Sequence, residues 1–195
     1  MKYNIIIDAG NTKTKIYRGK ENTLELLASY ESENYDSIAK FLAGEHFENG
    51  IFCNVGSAKP PYIDMLKNRS SVFIDFDSTV ATPLKNVYET PNTLGVDRLA
   101  AAVGANELFT GADILVIDAG TAITIDLVSG GVFVGGAISP GMRLRFDSLH
   151  RQTKRLPLLE PTSQYSYPGR NTHDSIVSGV IEGIVNEIDG TIFSY

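Results

Sequence analysis

The chain has 195 residues, with 17 Lys plus Arg against 23 Asp plus Glu, 43% hydrophobic and 21% charged residues. This profile of a folded globular protein excludes disorder, collagen and coiled coil and needs no disulfide or metal staple. A net charge of -6 without a basic stripe argues against nucleic acid as a partner. The single cysteine, Cys53, the absence of a long apolar stretch in MKYNIIIDAG, and the lack of an apolar run near the ~20 residues of a membrane span lead to the expectation of a cytoplasmic protein with no membrane role.

Taken in chain order, residues 5–15, IIIDAGNTKTK, read as a β-branched strand, a glycine turn and a Thr-rich returning strand. A strand is expected over 23–31, a helix over 36–43, and a buried strand over 51–55 that opens into Gly56 and Ser57. Pro60 and Pro61 are expected to begin a helix through Lys67. A strand over 72–76 follows, then a helix over 96–108 with Leu99, Ala100, Val103, Ala105 and Leu108 on one side. Gly111 breaks that pattern, and residues 116–126, VIDAGTAITID, echo the opening hairpin: Asp8 matches Asp118 and Gly10 matches Gly120. The echo implies two similarly built lobes, 1–110 and 111–195.

The second lobe continues with a strand over 131–138, a helix over 143–153 and a last helix from Thr172. In that helix Ile176, Val177, Val180, Ile181, Ile184, Val185 and Ile188 follow the 3.6 period, a stripe suited to core first and dimer contact second. The second unit is shorter than the first and ends on GTIFSY within an apolar helical pattern. That reads as an interrupted lobe or as a naturally shorter one.

The chemistry-bearing residues cluster at three places. An Asp at a strand end followed by Gly and Asn-Thr lets turn N–H groups approach an anion while the carboxylate holds a metal. Asp8, Ala9, Gly10, Asn11, Thr12, Lys13, Thr14 and Lys15 therefore read as a phosphate loop, or as a capped hairpin with solvated lysines. Asp118 and Thr121 offer a second carboxylate and hydroxyl, and carboxylates meeting over phosphates call for Mg²⁺ and a monovalent ion. In Gly95-Val96-Asp97-Arg98 an acid and a base follow a glycine at a helix start. Asp97 can accept a hydroxyl proton in phosphoryl transfer and Arg98 can clamp a substrate carboxylate, the alternative being a surface salt bridge at a helix end.

DAGNTKTK, Tyr88 ahead of GVDR, IDAGTAITID, GGAISPG and GRNTHDSIVSG, in this order over nearly the whole chain, resemble the type III pantothenate kinases. The resemblance implies an α/β fold of two ribonuclease-H-like lobes, the duplicated actin-like ATPase or acetate-kinase-type fold of the sugar-kinase and actin superfamily, with the second lobe truncated. It implies transfer of phosphate from ATP to pantothenate, the first step of coenzyme A synthesis, with Asp97 as general base. The Asp8 to Lys15 loop and Thr121 would contact ATP, and Asp8 would hold Mg²⁺ through phosphate or water. Asp118 would hold K⁺ (or NH₄⁺). Tyr88, Gly95, Val96, Asp97, Arg98 and Thr172 would line the pantothenate pocket, Thr172 from the partner of a homodimer that shares its active site. The alternative within the family is an accessory regulatory protein or a catalytically impaired, shortened member.

The same residues have plainer readings. Tyr88 can pack against a lobe edge, Thr172 can cap the last helix, and Pro140 can start the helix after GGAISPG. Arg143, Arg145, Arg151, Lys154 and Arg155 read as a solvated helix face. Cys53 and the three histidines lack the spacing of a metal or nucleophile site and read as structural.

Overall fold

A computed structural model describes residues 3–21, 23–56 and 59–195. The chain divides into two compact units, one of residues up to Gly111 plus Gly131–Phe133, the other of Ala112–Gly130 and Val134–Tyr195.

The first unit begins with β1 (Asn4–Ala9), β2 (Lys13–Lys20) and β3 (Thr23–Glu31), an antiparallel meander. Strand β1 alternates buried Ile5, Ile7 and Ala9 with partly exposed neighbours, the period-2 signature of a strand with one covered face. Helix α1 (Tyr35–Gly44), capped by the Asn34 side chain accepting from the Ser37 N–H, returns the chain to β4 (Asn49–Asn54), which lies parallel to β1. Helix α2 (Ile63–Arg69) leads to β5 (Val72–Phe76), parallel to β4. The resulting sheet has the order β3-β2-β1-β4-β5. Ile5, Ile7, Ile16 and Phe52 of its strands pack with Ile38 and Leu42 of α1 and Leu66 of α2. A short β6 (Lys85–Asn86) pairs in parallel with Val132 and Phe133, and α3 (Val96–Leu108) closes the unit.

The second unit contains β7 (Ile114–Ala119), β8 (Ala122–Ser129) and most of β9 (Val132–Pro140), then α4 (Met142–Gln152) and α5 (Thr172–Ser194). Gly130 and Gly131, at φ 56° and 75°, make the two-residue turn into β9, a conformation that glycine adopts without Cβ strain. Ile123 and Ile125 of β8 and Phe146 of α4 form a core with Ile176, Val177, Val180 and Ile184 of α5. Most of the expected stripe on α5 is therefore core, whereas Val185 is exposed.

Several elements differ from the sequence reading. The helix expected from Pro60 starts at Ile63 instead, because two prolines lack N–H donors and the residue before a proline avoids helical backbone. Strand β4 starts two residues earlier than expected, and Ser57, expected in the turn after it, lies outside the described residues. On α3 the covered positions are Arg98, Leu99 and Ala102, and Leu108 is exposed at the last turn. Pro140 ends β9, and Gly141 precedes the first residue of α4. No helix among the described residues is long and apolar enough to cross a membrane.

Candidate functional site

Both aspartate-tipped hairpins are present. In the first, Asp8 pairs with Lys15 and Ala9 with Thr14, and the turn is closed by the Gly10 N–H donating to the Lys13 carbonyl at 3.1 Å. A Cβ on Gly10 would stand 3.0 Å from that carbonyl oxygen, so the turn is tight enough to favour glycine. In the second, Asp118 pairs with Thr124 and Ala119 with Ile123, and the Gly120 N–H donates to the Ala122 carbonyl at 2.9 Å. The closing pairs Ala9–Thr14 and Ala119–Ile123 leave four residues in the first turn and three in the second, so the echo holds through Asp-Ala-Gly and then shifts by one.

The residues of the first loop are not equivalent. Asn11, Thr12, Lys13 and Lys15 are exposed and Asp8 and Gly10 are partly so, whereas Ala9 and Thr14 are buried. Thr14 is fully covered and its hydroxyl donates to Ser32 Oγ at 3.4 Å, which turns that side chain away from any ligand and leaves its backbone alone as a possible contact. Lys13 Nζ lies 4.0 Å from Glu31, and the two lysines share a strand face as the alternation requires. Ser32, which the sequence reading passed over, touches the loop twice: its N–H donates to the Thr12 carbonyl at 3.0 Å and its hydroxyl to the Gly10 carbonyl at 2.7 Å.

Asp97 sits in the first turn of α3, exposed, with Oδ1 accepting from the Arg98 N–H at 2.9 Å. A Cβ on Gly95 would stand 2.6 Å from that oxygen, so glycine there lets the carboxylate fold back over the helix start. Arg98 is 6% exposed, and its guanidinium lies 5.6 Å from the centre of the Tyr88 ring. That placement covers the guanidinium and gives it a cation–π contact inside the unit. Tyr88 in turn packs at 6.2 Å on the buried Phe133 ring, and its N–H donates to Asn86 Oδ1 at 2.9 Å. Phe133 thus makes the ring a fixed platform for the arginine.

Asp8 and Asp97, far apart in sequence, both lie within electrostatic reach of Cys53. Cys53 is the neighbour of Asp8 across the β1–β4 pairing, and its thiol is pushed up to about 12 by burial first and then by the negative charges of Asp8 and Asp97. Cys53 therefore feels the charge of both acids from its place on β4.

In the second unit Asp118 and Thr121 are exposed at the tip of the β7–β8 hairpin. The Gly141 N–H donates to the Thr121 carbonyl at 3.0 Å, and a Cβ at Gly141 would run into the backbone of Gly120 and Thr121. Arg145 Nε donates to the Pro140 carbonyl at 2.7 Å and its guanidinium pairs with Glu187, so this arginine is a brace and not part of a solvated face. Thr172 is exposed as the first residue of α5, and the cap is its neighbour Asn171, whose side chain accepts from the Asp174 N–H at 2.8 Å. The expectation that Thr172 caps the helix is thereby corrected, and its hydroxyl is released from that duty. Thr172, with Arg170, Leu149 and Ile176, lines a cavity of about 1200 Å³ between α4 and α5. Among the described residues no group of three or more His, Cys, Asp or Glu side chains could hold a metal ion by itself.

The fold defines a mixed α/β protein of two sheets, with two aspartate-tipped glycine turns and an acid at a helix start. The model of the type III pantothenate kinase family matches residues 4–193, and the chain belongs to that family. It is 36% identical over 193 residues to a type III pantothenate kinase of Porphyromonas gingivalis, covering 97% of this chain and 79% of that protein. It is 40% identical over 198 residues to the type III pantothenate kinase of Christiangramia forsetii, covering 98% and 80%. Among solved structures, one from Campylobacter jejuni described as a Baf family transcriptional activator shares the fold at a TM-score of 0.60 and 24% identity, over 95% of this chain and 78% of that one. The ethanolamine utilization protein EutJ from Carboxydothermus hydrogenoformans shares it at 0.51 and 12% identity, over 100% and 73%.

Proposed function

We propose that this protein transfers the γ-phosphoryl group of ATP to the primary hydroxyl of pantothenate, giving 4′-phosphopantothenate and ADP, the first step of coenzyme A biosynthesis. Membership of the type III pantothenate kinase family supports the reaction, and the placement of Asp97 in the first turn of α3, next to an Arg98 held over the Tyr88 ring, is the observation that carries the site. The β3-β2-β1-β4-β5 order supports a ribonuclease-H-like first lobe, the architecture of the actin-like and acetate-kinase-type phosphotransferases.

In this reading the Asp8 to Lys15 loop receives the phosphates. Backbone N–H groups of the turn and the exposed Thr12, Lys13 and Lys15 supply donors and positive charge. Thr121 contacts ATP from the second hairpin. As the pantothenate hydroxyl oxygen attacks the γ-phosphorus, its proton passes to Asp97 Oδ, the phosphoryl group ends on the pantothenate oxygen, and the electron pair of the broken P–O bond leaves with ADP. Arg98, held over Tyr88, pairs with the pantothenate carboxylate, and Gly95 and Val96 line the same pocket. Carboxylate oxygens are hard donors, so Asp118 would hold K⁺ or NH₄⁺ and Asp8 would hold Mg²⁺ through phosphate or water. Bound cations would offset the charge that gathers on the phosphates. A homodimer in which Thr172 reaches the partner's pantothenate pocket completes the proposal.

The test is ADP release coupled to a spectrophotometric readout, with pantothenate, Mg²⁺ and K⁺ present, then with Na⁺ in place of K⁺. Turnover should depend on pantothenate, and Asp97→Asn should lower kcat by about 100-fold or more with the circular dichroism spectrum unchanged. Full turnover by Asp97→Asn would remove the general base.

A further inference from the structure

We infer that Ser32 is a positioning residue of the phosphate loop, acting through the orientation of two peptide groups; this rests on the ATP reading of the Asp8 to Lys15 turn. A loop that binds phosphate through its backbone must keep its own carbonyl lone pairs away from the anion. In a trans peptide the C=O and the following N–H point in opposite directions, so anchoring a carbonyl on one side commits the next N–H to the other. The Ser32 hydroxyl holds the Gly10 carbonyl at 2.7 Å, which directs the Asn11 N–H away from Ser32. The Ser32 N–H holds the Thr12 carbonyl at 3.0 Å, which directs the Lys13 N–H the same way. The Lys13 carbonyl is already taken by the Gly10 N–H at 3.1 Å. Three of the four turn carbonyls are thus engaged within the protein, two of them by one residue.

Ser32 is itself held firmly. It follows the end of β3, where Glu31 pairs with Lys13, and the Asn34 N–H donates to the Glu31 carbonyl at 2.9 Å just before Asn34 caps α1. The buried Thr14 hydroxyl donates to Ser32 Oγ at 3.4 Å, which leaves the Ser32 proton to point at Gly10. Thr14 therefore serves the loop from behind.

Ser32→Ala removes the hydroxyl and leaves the backbone bond to Thr12, so a graded loss is expected. The KM for ATP should rise about five- to tenfold, the size of one lost hydrogen bond, while the KM for pantothenate and the binding of adenosine, which has no phosphate, stay within about twofold. Ser32→Thr keeps the hydroxyl and should restore the wild-type KM for ATP. Ser32→Cys, a weaker donor of similar size, should fall between and covers the case in which the alanine variant folds poorly. An unchanged KM for ATP in the alanine and cysteine variants, or equal losses for ATP, adenosine and pantothenate with no rescue by threonine, would overturn the inference. Wild-type protein that neither binds nor turns over ATP would instead overturn the proposed function, and the inference with it.

Discussion

The Cys53 thiol lies within electrostatic reach of both proposed active-site acids, and its chemistry reports on them. Burial and the two carboxylates push it up to about 12, so the neutral thiol is the folded form and the thiolate is suppressed up to strongly alkaline pH. The sign follows from linkage: a raised value means that the contribution is intact below the ordinary thiol range and is lost as pH climbs toward the folded value. Because the thiolate is the nucleophile, alkylation by iodoacetamide near pH 8 should be about 1000-fold slower than for a free cysteine and should still be rising near pH 10. Asp97→Asn should speed it by removing one of the negative charges. Mass spectrometry of the alkylated protein measures both, and a rate that levels off near the free-thiol value would separate Cys53 from the acids. At this scale Asp8, Asp97 and Arg98 stand out in the sequence as candidates because their types and spacing suit a chemical task. Ser32 and Cys53 do not, since Ser32 acts from a turn two strands away and Cys53 from a parallel strand whose register only the sheet reveals.

Elements hold the loops by contacts that sequence periodicity does not encode. The second hairpin is backed by Gly141, that glycine is flanked by Pro140, and Pro140 is held by Arg145, which pairs with Glu187 on α5. A hydrogen bond from Ser139 and then the Arg145 guanidinium hold the Glu187 carboxyl below the usual carboxylate range. A lowered value gives stability that is present above the unfolded carboxyl range and is lost as pH falls through the folded value. Glu187→Gln should therefore lower Tm at neutral pH by about 2–4 °C, the scale of a partly exposed pair, and the gap to wild type should close as pH falls below the ordinary glutamate value. Calorimetry at neutral and acid pH decides it, and a gap that does not change with pH would deny the pairing its role. Within the basic run Arg143, Arg151, Lys154 and Arg155 are exposed as expected, and Arg145 alone departs from the solvated reading because α5 places Glu187 opposite it. The boundaries of β3, β5 and α3 were legible from alternation and helical period, whereas the start of α2 was displaced by proline backbone limits and the cap of α5 by one residue, Asn171 for Thr172.

At the scale of the whole molecule, the internal echo was the most legible feature, since both copies form the strand-turn-strand it implies. The proposed dimer has a sharper test than a molecular weight. The apolar stripe of α5 is spent mainly on its own core, so Thr172 beside the α4–α5 cavity is the residue whose contribution to a partner can be isolated. Thr172→Glu places a carboxylate in the pocket proposed to take the anionic pantothenate, yet an acid at the first position of a helix is favoured by the dipole, so the fold is expected to stand. Mixing this inactive variant with Asp97→Asn after dissociation and reassociation makes half of the dimers mixed. Each mixed dimer carries one site with both lesions and one with neither, provided Thr172 acts across the interface. Recovered activity should then be about a quarter of wild type, from two parents that show almost none. Zero recovery with mixed dimers demonstrated by native mass spectrometry would mean that each chain completes its own pocket.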